Sequence, residues 1–328
     1  MNNRRKLVIG LGVSALAWTG TVLSQSKTPP VVIGWFSPGP QLSGRTLLAF
    51  KEGMAALGWK EGANYLLEIH WAEGRVDPLP GLAEELAAKK PTVIVAVSVD
   101  ATIAAAKAAP KVPVVQAIGS SPVDVGLATS LARPGGMVSG ITNLSAELSA
   151  KSLEMLLAVA PTLKRVGFLV DLGSSRYDYQ LQSMRSAAER LRVEARFAEV
   201  SKAEEIEPAI ARLAKEGVEG LVVLPSIRLF YAERTRIITA AFAHRWPVIA
   251  RGGAWVRSGA LLSYGADILV LCRRAAYYVD RILRGAKPGD LPIEQPTKFV
   301  LVVNLKTAKA LGLTFPRWML LQADSVIN

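Results

Sequence analysis

From Val31 onward the chain alternates short apolar runs with amphipathic segments. VVIGWF (31–36) reads as a strand, and residues 43–57 set Leu47, Leu48, Phe50, Met54 and Leu57 at helical spacing. YLLEIHW (65–71) alternates as a strand does, and LPGLAEELAAKK (79–90) has a helical period. TVIVAVS (92–98) is the continuous β-rich run of a strand buried on both faces. The Ala-rich segment 101–109 predicts a helix, and PVVQAI (113–118) predicts the next strand. Strands and helices in this alternation imply a parallel sheet with right-handed crossovers.

The pattern then restarts. Strands are predicted at 165–170, 193–200, 220–225 and 247–250, with helices at 176–191, 203–216 and 230–245. Gly34 corresponds to Gly167, the apolar run 93–96 to 221–224, and Pro113-Val114-Val115 to Pro247-Val248-Ile249, at offsets of about 130 residues. Each half is long enough to stand as its own domain. The join at 119–147 is rich in Gly, Pro and Ser, and a second transition is expected near 251–266. Small residues there can absorb the dihedral changes of a hinge. A helix at 267–284 and a strand at 299–304 follow the second half, so the chain is expected to cross between halves more than once. The expected fold is α/β: two doubly wound parallel-sheet domains joined by crossover hinge strands. The first would comprise 31–145 with about 258–290, and the second 146–257 with about 291–328.

Ahead of this pattern lies a different one. MNNRRK is basic, LVIGLGVSALAW (7–18) is apolar, and small residues follow. That is the layout of a cleavable signal peptide, expected over 1–26. Arg4-Arg5 faintly resembles a twin-arginine leader. Gly10, Gly12 and Ala15 imitate a dinucleotide fingerprint, but the first acidic residue is Glu52, too far on to hold a ribose. Cys272 is the sole cysteine and lies far from the leader, so no lipid anchor is expected.

Composition narrows the chemistry. Half of the 328 residues are hydrophobic, enough for a sizeable core, and the length suits two domains. The net charge is +12; losing Arg4, Arg5 and Lys6 with the leader lowers it to +9. The remaining basic residues interleave with acids rather than forming a stripe, which argues against a nucleic-acid partner. One Cys and two His exclude a disulfide framework and leave little for a metal site or a catalytic triad. No G-x-S-x-G elbow, phosphate loop or H-E-x-x-H helix occurs. His70 and His244 read as structural, and Cys272 as a buried thiol.

Ligands of doubly wound sheets bind beyond the carboxyl ends of the strands, where helix N-termini present N–H groups. The residues at those places are Ser37, Ser98, Asp100, Ala101, Thr102 and Ser120 in the first half. In the second they are Asp171, Ser174, Ser175, Ser226 and Arg251, with Tyr264 in the later transition. Ser and Thr at helix starts are also ordinary caps. Their recurrence at one topological level in both halves is what favours a ligand site. The ligand-binding set is expected to be Ser37, Ser98, Asp100, Ala101, Thr102, Ser120, Ser226 and Tyr264, with no catalytic residue, metal or cofactor.

GWFSPGP, VDVGLATSLARPGGMVSGITNLS, SGALLSYGAD, LPIEQPTKF and VVNLKTAKALGL together resemble one family over about 31–328. The chain is similar to the ABC transporter substrate-binding proteins called TrpX-like, whose best-understood members bind tryptophan and other aromatic amino acids. It departs from the family's G-T-P-A-like turn with SVDAT and from its G-D-P-V with GSSPV. The resemblance implies a type I periplasmic binding protein fold, closing by three crossovers on a small molecule. It also implies a monomer in the periplasm that serves permease subunits driven by a separate ATPase. Two other classes use comparable architecture: a ligand-sensing domain of a regulator, and a secreted α/β enzyme. The first would need a DNA-binding or signalling module. The second would need a nucleophile–base pair in the cleft.

Overall fold

The computed structural model describes residues 29–39, 44–174, 177–226 and 229–328. The expected leader, 1–26, and Ser175 lie outside the described residues. The first run of elements is β1 (Val31–Ser37), α1 (Arg45–Ala56), β2 (Tyr65–Trp71), α2 (Leu79–Ala88), β3 (Val93–Ala96), α3 (Val99–Ala108), β4 (Val114–Gln116) and β5 (Val138–Gly140). These strands form one parallel sheet in the order β2-β1-β3-β4-β5. The central β3 is buried at every position, as its unbroken VIVA requires. Helix α3 starts at Ser98, whose Oγ accepts the Ala101 N–H.

The second run is α4 (Ser145–Val159), β6 (Arg165–Asp171), α5 (Tyr177–Leu191), β7 (Glu194–Val200), α6 (Ile206–Lys215), β8 (Gly220–Val223), α7 (Arg234–Ala243) and β9 (Val248–Ile249). It continues with α8 (Gly253–Arg257), β10 (Leu262–Ala266), α9 (Ile268–Leu283), β11 (Phe299–Asn304), α10 (Leu305–Leu311), α11 (Arg317–Gln322) and β12 (Ser325–Ile327). The seven-stranded sheet runs β12-β11-β10-β9-β8-β6-β7, parallel except where β10 meets β11. The repeat is real at the level of packing. A Cβ at Gly34 would lie 3.0 Å from Leu86 of α2, and one at Gly167 would lie 3.0 Å from Leu213 of α6. In both halves the first strand is bare where a covering helix presses closest.

One difference from the sequence reading stands out. The segment 258–266, expected in the first unit, pairs in the second sheet: Leu262 aligns with Ile249 and Tyr264 with Leu301. Helix α9, by contrast, returns to the first unit. Its Leu271, Cys272, Ala275, Ala276 and Val279 share one buried core with Trp35, Phe50 and Met54. Glu52 and Arg273 pair across α1 and α9, and the Trp59 indole donates to Asp280 at 2.9 Å. Burial pushes the Cys272 thiol pKa up, since nothing there solvates a thiolate.

The chain passes between the units three times. The first crossing leaves β5 through Ile141 and Thr142; the second leaves β10 through Asp267, whose carboxylate caps α9. The third follows α9. Residues 291–294 run beside β5: Ser139 Oγ donates to the Leu291 carbonyl at 2.7 Å, and Glu294 bridges Ile141 in parallel register. The crossings are bonded to one another. Thr142 N–H donates to Glu294 O and Glu294 N–H to Gly140 O, each at 2.9 Å, while Asp267 N–H donates to Lys298 O at 3.3 Å. Arg274 of α9 clamps the Glu294 carboxylate with Nε and Nη2 at 2.9 and 2.6 Å. That hydrogen-bonded guanidinium holds the Glu294 carboxyl below the usual range.

Gly140 begins the first crossing at φ +124°, and a Cβ there would sit 2.2 Å from the Gln116 carbonyl oxygen. Gly140→Ala is expected to lower unfolding stability by about 3 kcal/mol, measured by urea titration, because backbone strain and overlap act together. Because the folded Glu294 pKa is depressed, its contribution is complete above the ordinary carboxylate pKa and is lost as pH falls through the lowered value. Glu294→Gln should therefore flatten the acid limb of a Tm–pH profile and leave its neutral-to-alkaline part parallel to wild type.

Candidate functional site

Strand order reverses at one place in each sheet. β1 is followed outward by β2, and the chain then returns to β3 on the other side of β1. Likewise β7 lies on one side of β6 and β8 on the other. Helices leaving such a switch point diverge to opposite faces, opening a crevice at the carboxyl ends of the strands. All three crossings join those same edges. β5 and β10 are left at their carboxyl ends, and β11, antiparallel to β10, is entered at the matching edge.

At the first switch point Ser37 ends β1, and its buried Oγ accepts the Gly39 N–H at 3.1 Å. Ser98 follows β3 and is engaged as the cap of α3, accepting from Ala101 N at 3.0 Å. Asp100 is half-buried in the first turn of that helix. Thr102 Oγ1 lies 2.7 Å from the Ser98 carbonyl and 3.2 Å from Gln116 Oε1, sharing one proton between two acceptors. Gln116, fully buried, donates its Nε2 to the carbonyls of Ser120 and Ile141 at 2.9 and 3.0 Å. One amide therefore ties Thr102 and Ser120 directly to the first crossing, and Ser98 through Thr102. Ser120 Oγ itself is buried and has no hydrogen-bond partner.

At the second switch point the buried Asp171 ends β6. Its Oδ1 accepts the Gly173 N–H at 2.9 Å and its Oδ2 accepts the Ser226 hydroxyl at 2.6 Å. Ser226 Oγ also accepts the Leu229 N–H at 3.0 Å, so the loops after β6 and β8 are pinned together. Gln180, in the first turn of α5, donates Nε2 to the Pro225 carbonyl at 3.3 Å, while its Oε1 is buried without a partner. Tyr177 donates to Glu199 at 2.5 Å, which raises the phenol pKa to about 12. Arg234 at the start of α7 donates Nη1 to the Tyr231 carbonyl and lies over the Tyr231 ring, with Nε buried and unpartnered. Tyr264 stacks on Phe299 at 5.8 Å and packs against the second core, so one face of its ring already has a structural partner.

Unpartnered buried polar atoms are costly, about 1–3 kcal/mol each, and call for a reason. Those found among the described residues are Trp35 Nε1, Ser120 Oγ, Gln180 Oε1 and Arg234 Nε. Trp35 is the fifth of seven residues of β1 and is packed in the first core, and the other three lie in segments that follow β4, β6 and β8. Those three are on the carboxyl side of the sheets, one in the first unit and two in the second. Gln116, Gln180 and Arg234 are absent from the set expected from sequence. A glutamine closing the apolar strand PVVQ was a readable signal for Gln116, and the end of β6 was one for Asp171. Gln180 and Arg234 look like any polar residue of an amphipathic helix.

The residues set aside for structural roles have them. His70 Nδ1 is 4.0 Å from Glu85 across β2 and α2, and the His244 ring packs on Trp246 at 5.0 Å. Among the described residues no three His, Cys, Asp or Glu gather as a metal site, and no helix is long and apolar enough to cross a membrane.

Residues 43–327 match the family model described as ABC transporter substrate binding protein. A tyrosine-binding protein of Clostridioides difficile (strain R20291) is 26% identical over 265 residues, covering 80% of this chain and 75% of that protein. Among solved structures, an ABC domain in complex with L-Trp from Streptococcus pneumonia superposes with a TM-score of 0.83 at 23% identity, covering 91% of this chain and 100% of that one. A conserved domain protein from Vibrio cholerae superposes with a TM-score of 0.82 at 24% identity, covering 92% and 100%. The matched family and the tyrosine-binding relative are solute-binding proteins, not enzymes. With its fold and most of its length both accounted for, this chain belongs to the ABC transporter substrate-binding protein family and has the type I periplasmic binding protein fold.

Proposed function

We propose that this protein is the periplasmic solute receptor of an ABC importer. It takes a small molecule, an amino acid or another small polar or aromatic compound, between its two sheets. The observation that carries this reading is that three bonded crossings join carboxyl edge to carboxyl edge, and that buried polar atoms without partners lie on those same edges of both units. A ligand bridging the two edges would satisfy such atoms and favour the closed arrangement of the units, with the crossings as the hinge. Asp100, half-buried at a helix start, offers a carboxylate to a ligand amine, and Ser37, Ser98 and Ser226 offer hydroxyls and the backbone around them. The permease subunits, driven by a separate ATPase, would read the closed surface of a monomeric receptor. The relatives described as binding tyrosine or L-Trp make those two amino acids the first ligands to try.

Purified chain lacking residues 1–26 should melt at higher temperature with its ligand. At 100 times Kd the native state gains about 2.7 kcal/mol. L-tyrosine, L-tryptophan and a wider panel of amino acids and small polar compounds are to be screened by thermal melting. In parallel, native mass spectrometry would detect any co-purified small molecule. No shift with any compound and no bound molecule would remove the receptor reading. Ser120→Ala should keep the apo melting temperature, since Oγ has no partner to lose, and should weaken binding about tenfold, one hydrogen bond's worth. Unchanged affinity by calorimetry would take Ser120 out of the site.

A further inference from the structure

We infer that Gln180 is a specificity-determining residue of this site, the acceptor for a hydrogen-bond donor, N–H or O–H, at the ligand's end nearest the second sheet. The inference rests on the receptor reading above, but it adds a residue that neither sequence pattern nor family likeness points to.

The argument begins with orientation. The two ends of a glutamine amide differ only in hydrogen bonding, and here the Pro225 carbonyl decides between them. Nε2 faces that oxygen at 3.3 Å, and the flipped amide would set two acceptors against each other. Oε1 is therefore the end left over, and it is buried with no donor in reach. The residue as a whole is 7% exposed, so bulk water does not supply one.

Position makes the vacancy informative. Gln180 belongs to the first turn of α5, directly after the loop that follows β6, and it bonds to the loop that follows β8. Its amide thus spans the strands between which the order reverses, the crevice where doubly wound sheets hold ligands. Among the described residues, Ser226 and Asp171 of that crevice are already engaged with their neighbours. The Ser226 hydroxyl donates to Asp171 and accepts from Leu229, and Asp171 accepts from Gly173. Among the described residues of those loops, Gln180 Oε1 is the buried acceptor that stays open. A residue selected for the fold alone would be apolar here, since Met184, Ala187 and Ala188 continue the same buried face of α5. Keeping an amide at this position lowers the stability of the empty protein and is recovered only when a donor arrives, as expected of a binding residue.

The test compares wild type with Gln180→Met, close in shape and without the orphan acceptor. In the ligand-free chain, Gln180→Met is expected to melt at or above the wild-type temperature. A fall of more than about 2 °C would show that the amide serves the fold and would overturn the inference whatever the ligand is. Calorimetry with L-tyrosine and L-tryptophan, and native mass spectrometry of protein purified from a periplasmic extract, form the second arm. Wild type should bind, and Gln180→Met should lose at least tenfold in affinity or its co-purified molecule. Equal binding by wild type and Gln180→Met overturns the inference and leaves the receptor reading standing. A wild-type protein that binds nothing removes the receptor reading, and the inference with it, even where Gln180→Met proves more stable.

Discussion

The arrangement of this protein depends on a small set of backbone hydrogen bonds that hold the crossings side by side. Thr142 donates its N–H to the Glu294 carbonyl, Glu294 donates its own to the Gly140 carbonyl, and Asp267 donates to Lys298. Two sheets of this kind could be joined at either edge. Because every passage of the chain is made at the carboxyl edges, the helix starts and strand ends of the two units are brought toward a common region. The Arg274–Glu294 clamp fastens α9 to the third crossing, so the helix that returns to the first unit also fixes the path by which the chain leaves it.

Gln116 extends that constraint to the loops. A buried amide held at both its nitrogen and its oxygen is rigid, and the partners of Gln116 are Thr102 of α3, the carbonyl of Ser120 and the carbonyl of Ile141. Satisfied polar networks of this kind specify one local structure more sharply than apolar packing does. The loop that carries the Ser120 hydroxyl is therefore held by the same side chain that holds the first crossing. The second unit uses a different device for the same purpose. There a buried carboxylate, Asp171, gathers the loop after its own strand and, through Ser226, the loop after β8. Both devices leave their supporting groups engaged and a few neighbouring atoms open. That contrast separates the scaffold from the groups available to a solute.

The strand and helix pattern was legible because it is local. A strand covered by helices on both faces must be apolar throughout, and a helix lying on a sheet must repeat every 3.6 residues, so 93–96, 165–171 and 206–215 declare themselves within their own windows. The repeat was legible for the same reason, since two halves with one topology carry the pattern twice. The short strands Val138–Gly140 and Ser325–Ile327 escaped, being too short to show a period, and α4 was hidden behind a join rich in Gly and Ser. Of the site, the strand-end residues Ser37, Ser98, Ser120 and Ser226 could be located in advance. Whether each serves as a cap, a pin or an open group could not, because that depends on which donor lies within about 3 Å.

Sequence alone thus established an α/β chain of two similar halves and the order of most of their elements, and it located the strand ends proposed here to face a ligand. Burial and periodicity act between neighbouring residues, and the chain records them directly. The tertiary structure decided the rest: that 258–266 joins the second sheet, that the crossings lie together, and that Gln180 keeps an unfilled acceptor. Each of these is set by contacts between segments far apart in the chain, where the lower free energy of one pairing over another leaves no mark in either segment taken singly.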